Sequence, residues 1–136
     1  MATVNRLEDL KAWQKARLLS SAIHQMTRDK TFQDDYDLKR QIRRSGGSVM
    51  DNIAEGFGRG SRGEFVQFLG IARGSLIEVK SQLYRSIDNQ YITQQLFDAL
   101  YGQSDEVARI IDSLLTYLNN SDNKGRRYSK GSPDDQ

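Results

Sequence analysis

The sequence predicts an all-α protein, an up-down antiparallel four-helix bundle. Apolar residues recur at three- and four-residue steps through four long stretches, the period of an amphipathic helix. A single proline leaves those stretches uninterrupted. The segments between them are short, as bundles of this kind use. With 136 residues the chain is large enough for one domain with a real core. Residues 1–118 are expected to form the bundle, and 119–136 a polar, basic, disordered tail.

The first helix is expected to start near Asn5, with Glu8 three residues later completing a capping box. Leu10, Trp13, Ala16, Leu19 (or Leu18), Ile23 and Met26 form its apolar stripe. The polar run Arg28 to Lys30 closes it, and Phe32 and Tyr36 are expected to pack the loop down. Asp34 and Asp35 then suit a helix N-terminus and its positive dipole end. Leu38, Ile42, Ser45, Val49 and Ile53 follow as the second stripe. Gly46 and Gly47 in its middle each cost roughly 1 kcal/mol relative to alanine, so close packing or a kink is expected there.

A glycine-rich hairpin, Gly56 to Gly60, is expected to end the second helix, with breaks at Gly58 and Gly60. Ser61 with Glu64 makes a second capping box, and Phe65, Phe68 (with Leu69), Ala72, Leu76, Val79 and Leu83 line the third helix. A turn centred on Gly58–Arg59 sets Gly47 opposite Gly70 and Arg43 opposite Gly74. It also sets Glu78 opposite Lys39, one turn from Arg43, which predicts an ion pair. Thr93 is a good N-cap for the fourth helix. Phe97, Leu100, Ser104, Val107, Ile111, Leu114 and Leu118 form its seam. Leu96, Ile110, Leu115 and Tyr117, with Ile71 and Ile77 on the third helix, widen the apolar faces toward a broad core or subunit contacts.

Charge is uneven. Residues 1–62 carry twelve Lys and Arg against eight Asp and Glu, whereas residues 63–121 carry four against seven. This asymmetry suits either one basic surface or complementary surfaces between subunits. Lys39, Arg40, Arg43 and Arg44 share a broad face of the second helix, and Arg59 and Arg62 follow at the hairpin. Together they are candidate phosphate contacts. The competing reading pairs Lys39 and Arg43 with Glu78. The tail adds Lys124, Arg126, Arg127, Tyr128 and Lys130, suited to RNA phosphates and base stacking or to solubility. Ser48, Asn52, Glu55 and Arg59 make a polar stripe beside the second seam, matched by Ser75, Glu78 and Gln82 on the third helix. Such stripes set register or partner choice, and Gly47, Gly56 and Gly70 are read as helix-contact residues.

No catalytic constellation stands out, so an enzyme is not expected. There is no cysteine, hence no thiol nucleophile, disulfide or thiolate metal site. His24 has no acidic residue three before it, as a bundle di-metal site would need. No cofactor or metal is expected. Arg17 and His24 fit the Arg-x6-His count of HEPN-type RNases, a loose pattern kept as a minor alternative. No leader-like apolar region and no membrane-length apolar run is present, so the expected location is the cytoplasm.

The stretch SVMDNIAEGFGR (Ser48 to Arg59) resembles the four-helix-bundle proteins encoded in intervening sequences of bacterial 23S rRNA genes, the S23 ribosomal proteins. LKAWQKA from Leu10, LKRQIRRS from Leu38, EFVQFLGIARGSLIEV from Glu64, SQL from Ser81, and Tyr91 extend the resemblance over about residues 5–118. The resemblance implies a homopentameric ring. It also implies kinship with the accessory proteins of diversity-generating retroelements, which are basic and work with nucleic acid and a reverse transcriptase. The expected function is therefore a homo-oligomer that binds RNA or DNA, with a scaffold for a partner enzyme as the alternative. Met50, Asp51, Gln90 and Gln33 depart from the family's usual residues, and Asp51 weakens phosphate binding on its surface.

Overall fold

The structure, a computed structural model, describes residues 4–120 of the chain. Four helices make up the fold: α1 (Lys11–Thr27), α2 (Tyr36–Arg59), α3 (Arg62–Asp88) and α4 (Gln94–Leu118). Adjacent pairs α1–α2, α2–α3, α3–α4 and α4–α1 pack together, with the most extensive contact between α2 and α3. This is the antiparallel four-helix bundle the apolar periods predict. Lys124, Arg126, Arg127, Tyr128 and Lys130 of the expected tail lie outside the described residues. Among the described residues no helix is long and apolar enough to cross a membrane.

Local chemistry explains most of the helix boundaries. Asp35 caps α2 by accepting from the Leu38 amide at 3.1 Å. Ser61 caps α3 by accepting from the Glu64 amide at 3.2 Å, and its hydroxyl donates to the Glu64 carboxylate at 3.1 Å. Thr93 caps α4 through the Leu96 amide at 3.1 Å. The Asn5 box does not form. Leu7–Asp9 is instead a single 3-10 turn, and Leu10 is extended before α1 begins. The reason is packing: Val4 and Leu10 are both buried.

The core holds Ala16, Leu19, Ile23, Leu38, Ile42, Val49, Ile53, Phe65, Leu69, Leu76, Leu83 and Ile111, all fully buried. Leu19 is the core residue of its pair, and Leu18 points to solvent. Ile110 is buried, and Leu115 and Tyr117 pack against the core, so the wide face of α4 serves a broad core there. Phe32 packs the first loop down, but Tyr36 does not. It is 63% exposed at the start of α2, and Tyr91 from the α3–α4 connection covers Phe32 instead, with ring centroids 5.0 Å apart.

The expected α2–α3 register is wrong by more than one turn. Gly58 stays helical, α2 runs on to Arg59, and the reversal falls at Gly60, whose φ of 80° suits glycine. Ser48 consequently meets Ser75, hydroxyl to hydroxyl at 2.9 Å, and Arg85 donates to Gln41 at 2.9 Å. Gly47 and Gly70 do not meet: space is open around the Cβ position of each, and of Gly74. Nor does Glu78 pair with Lys39 or Arg43. It is exposed, with no ion pair among the described residues. Arg43 turns to α1, where its Nε donates to Thr27 Oγ1 at 2.7 Å and its Nη2 to the His24 carbonyl at 3.4 Å. Glu78→Lys is therefore expected to keep its denaturation midpoint, with a change within about 0.5 kcal/mol.

The two glycines in mid-α2 differ. A Cβ on Gly46 would lie 2.6 Å from Ile23 Cδ1, so this glycine seats α1 against α2, and α2 runs unbroken through the pair. Gly47→Ala is expected to raise stability by about 1 kcal/mol through helix propensity alone. In Gly46→Ala that gain is offset by displacement of Ile23. Urea midpoints of the two variants should separate, with Gly47→Ala the higher.

Candidate nucleic-acid interface

The six candidate phosphate contacts of α2 and the hairpin divide into two groups. Arg43 is tied to α1. The Nε of Arg59 donates to Glu55 at 2.8 Å, its Nη1 donates to Glu64 at 3.1 Å, and its guanidinium lies 5.2 Å from the Phe68 ring centre. The Glu55 hydrogen bond, more than any other contact, raises the Arg59 pKa. The Nη1 of Arg62 donates to the Leu118 carbonyl at 2.9 Å and so caps the end of α4 from the hairpin. These three fasten elements to one another.

Lys39, Arg40 and Arg44 form the second group. None makes an ion pair among the described residues. Arg40 and Arg44 are exposed one turn apart on the outer side of α2, and Arg40 lies 5.6 Å from the exposed Tyr36 ring. Lys39 is half-buried.

The periodicity of α2 alone does not reveal what α1 contributes. Arg17, His24 and Arg28 all lie exposed on α1 or at its C-cap, and Arg17 stands 5.8 Å from the Trp13 ring centre. The His24 pKa is held below its ordinary 6.5, first by partial desolvation, then by the charges of Arg43 and Arg28. The imidazole thus sits in a local positive potential between the two helices. The signal in the sequence was Arg28, four residues beyond His24 and one turn away. On the α3–α4 side, by contrast, Arg73 pairs with Asp112 at 2.9 Å and Lys80 pairs with Asp105. Hydrogen bonding to Asp112 raises the Arg73 pKa. Asp51 interrupts the α2 face, two turns beyond Arg44.

The polar stripes lie mostly inside the protomer. Asn52 Nδ2 donates to the Ser48 carbonyl at 2.8 Å and to its hydroxyl at 2.9 Å, and Ser48 in turn meets Ser75. Gly56 lies in close α2–α3 contact: a Cβ there would lie 2.7 Å from Phe68 Cβ and 3.0 Å from Phe65 Cδ1. Gln82 is buried, and its Oε1 has no hydrogen-bond partner among the described residues. Glu55 and Glu78 face solvent.

A family model for the 23S rRNA-intervening sequence protein matches residues 8–113, from the turn before α1 nearly to the end of α4. The chain belongs to the 23S rRNA-intervening sequence protein family. A crystal structure of a protein of unknown function from the S23 ribosomal protein family of Bacteroides thetaiotaomicron has the same bundle, with a TM-score of 0.71 and 25% sequence identity. The similarity covers 79% of this chain and 97% of that one. No curated protein matches the chain. The stretch SVMDNIAEGFGR lies in the α2–α3 contact and hairpin. Arg40, Arg44 and Arg28 stand outside that stretch.

Proposed function

We propose that this chain is a non-catalytic homo-oligomeric bundle that binds RNA, or DNA, through the α1–α2 face, without strong sequence specificity. The supporting observation is the cation set Lys39, Arg40, Arg44 and Arg28, which makes no ion pair among the described residues; Arg28, with Arg43, also supplies the positive charge that depresses His24. Such a face contacts phosphates and gives affinity that falls steeply with salt. A mobility-shift titration against 23S rRNA fragments at several salt concentrations tests it. Absence of binding at low salt rejects the reading. Cleavage of the RNA that disappears in His24→Ala would favour the RNase alternative, since Arg17 and His24 do share a face of α1.

Self-assembly, as a homopentameric ring in keeping with the resemblance, is supported by the outer side of α3. Ile71 and Ile77 are 46% and 53% exposed there, and Gly70 and Gly74 have open space around their Cβ positions. Each mid-helix glycine costs about 1 kcal/mol and gains nothing within the protomer, whereas small residues let a neighbouring copy approach closely. Light scattering on Gly70→Leu/Gly74→Leu distinguishes the cases. The expected result is a smaller assembly of folded protomers; an unchanged mass with a raised melting temperature means a solvated face. A scaffold for a partner enzyme is the outcome favoured if copurification survives nuclease.

A further inference from the structure

The α1–α4 side opens into a cleft of about 570 Å³ at the end of the bundle where the α3–α4 connection crosses. Its floor is apolar, made by Met26, Ile92 and Leu100, all buried, and Ala22, Ala99 and Leu96 form its walls. Gln25, Gln103 and Asp29 stand at the polar rim. Volume and lining fall within the range of small-molecule sites.

Cross-links frame this cleft in advance. The Thr31 hydroxyl donates to the Tyr91 carbonyl at 2.8 Å, and the Tyr91 hydroxyl donates to Asp35 at 2.9 Å. The Tyr91 ring rests on buried Phe32, and Gln90 beside it adopts a φ of 64° to bring the connection round. The Thr31 amide donates to Asp29 Oδ1 at 2.9 Å. That hydrogen bond, with the charge of Lys30 as a smaller cause, holds the Asp29 carboxyl below the usual carboxylate range. Asp29 is ionised at neutral pH and makes no ion pair among the described residues.

Charge then selects the occupant. Asp29 is the one ionisable carboxylate in the lining, and no lysine or arginine lines the cleft, so a phosphate, nucleotide or fatty acid would lack a counter-charge. We propose that the cleft binds a small organic cation, its apolar or aromatic body seated on Met26, Ile92 and Leu100 and its ammonium or amidinium group at Asp29. The cleft adjoins the α1–α2 basic face, since Asp29 is the chain neighbour of Arg28, but the two readings rest on different side chains and are tested separately.

Calorimetry with three probes of similar shape tests the proposal on the full chain: benzamidine, benzyl alcohol and benzoate. Benzamidine is expected to bind with one-to-one stoichiometry, more tightly than the alcohol, and benzoate not at all. Asp29→Asn keeps an acceptor for the Thr31 amide and should weaken benzamidine about tenfold or more while leaving benzyl alcohol unchanged. Ala99→Trp, at an exposed position on the wall, should abolish binding of both at an unchanged melting temperature. Equal binding of benzoate and benzamidine, indifference to both variants, or no heat from any probe at millimolar concentration overturns the proposal. So does a fall in oligomer mass in Ala99→Trp, which would make the cleft a seat for a second copy.

Discussion

Phe65→Ala is expected to remove about 3–5 kcal/mol of unfolding free energy, the usual cost of deleting a fully buried phenylalanine and leaving a cavity. The residue is fully buried in the first turns of α3. Its ring meets Phe57 edge to face, 6.1 Å between centroids, and both lie beside Gly56, where α2 packs closely on α3. Neighbours have little room to collapse into the hole, because Gly56 has no side chain to move. A domain of this size is stable by only about 5–15 kcal/mol, so the loss is a large share of the total. Urea denaturation with an unchanged slope and a lowered midpoint is the expected record. Gly56→Ala should also destabilise, by about 1–3 kcal/mol, since its Cβ strikes Phe68 near the backbone, where a flexible side chain cannot give way. An alanine at Gly56 thus acts opposite to one at Gly47, although both positions gain the same helix propensity.

That contrast shows where sequence reasoning reaches and where it stops. Helix existence, the apolar stripes and three of the caps follow from local chemistry: Asp35, Ser61 and Thr93 each bond an amide three residues on. Register does not, because it depends on which glycine turns the chain. Gly58 remains helical while Gly60 takes the left-handed conformation, and this shift moves every α2–α3 partner and unmakes the Glu78 ion pair. The basic residues follow the same division. The Glu55–Arg59 spacing was open to reading as an ordinary pair one turn apart. The partners of Arg43 and Arg62, a threonine hydroxyl on α1 and the last carbonyl of α4, exist only once distant segments meet. Arg40 and Arg44 were legible because outward residues need no partner to be placed.

For the same reason Arg40→Glu/Arg44→Glu is expected to have the largest effect on nucleic-acid affinity with almost none on folding. If each arginine meets one phosphate of a duplex, the salt dependence of log K should become shallower by about 2 units, at roughly 0.9 per phosphate. Reversal also places two carboxylates against the backbone, so affinity at low salt should fall by at least about tenfold. Arg62→Gln is the informative control: it frees the α4 terminus and should lower stability slightly while leaving the salt slope alone. His24 supplies an independent reading by NMR titration. In the free protein its pKa should lie below 6.5, because folding partly desolvates it beside Arg43 and Arg28. A depressed pKa means the unfolded chain binds the proton more readily, so stability falls as pH drops below the unfolded value. Phosphates on the α1–α2 face would offset those arginine charges and raise the His24 pKa. Binding would then take up a proton, and affinity should rise as pH falls from neutrality through the His24 transition. An imidazole pKa unmoved at saturating RNA would place the nucleic acid elsewhere on the bundle, and an unchanged salt slope in the double variant would remove Arg40 and Arg44 from the interface.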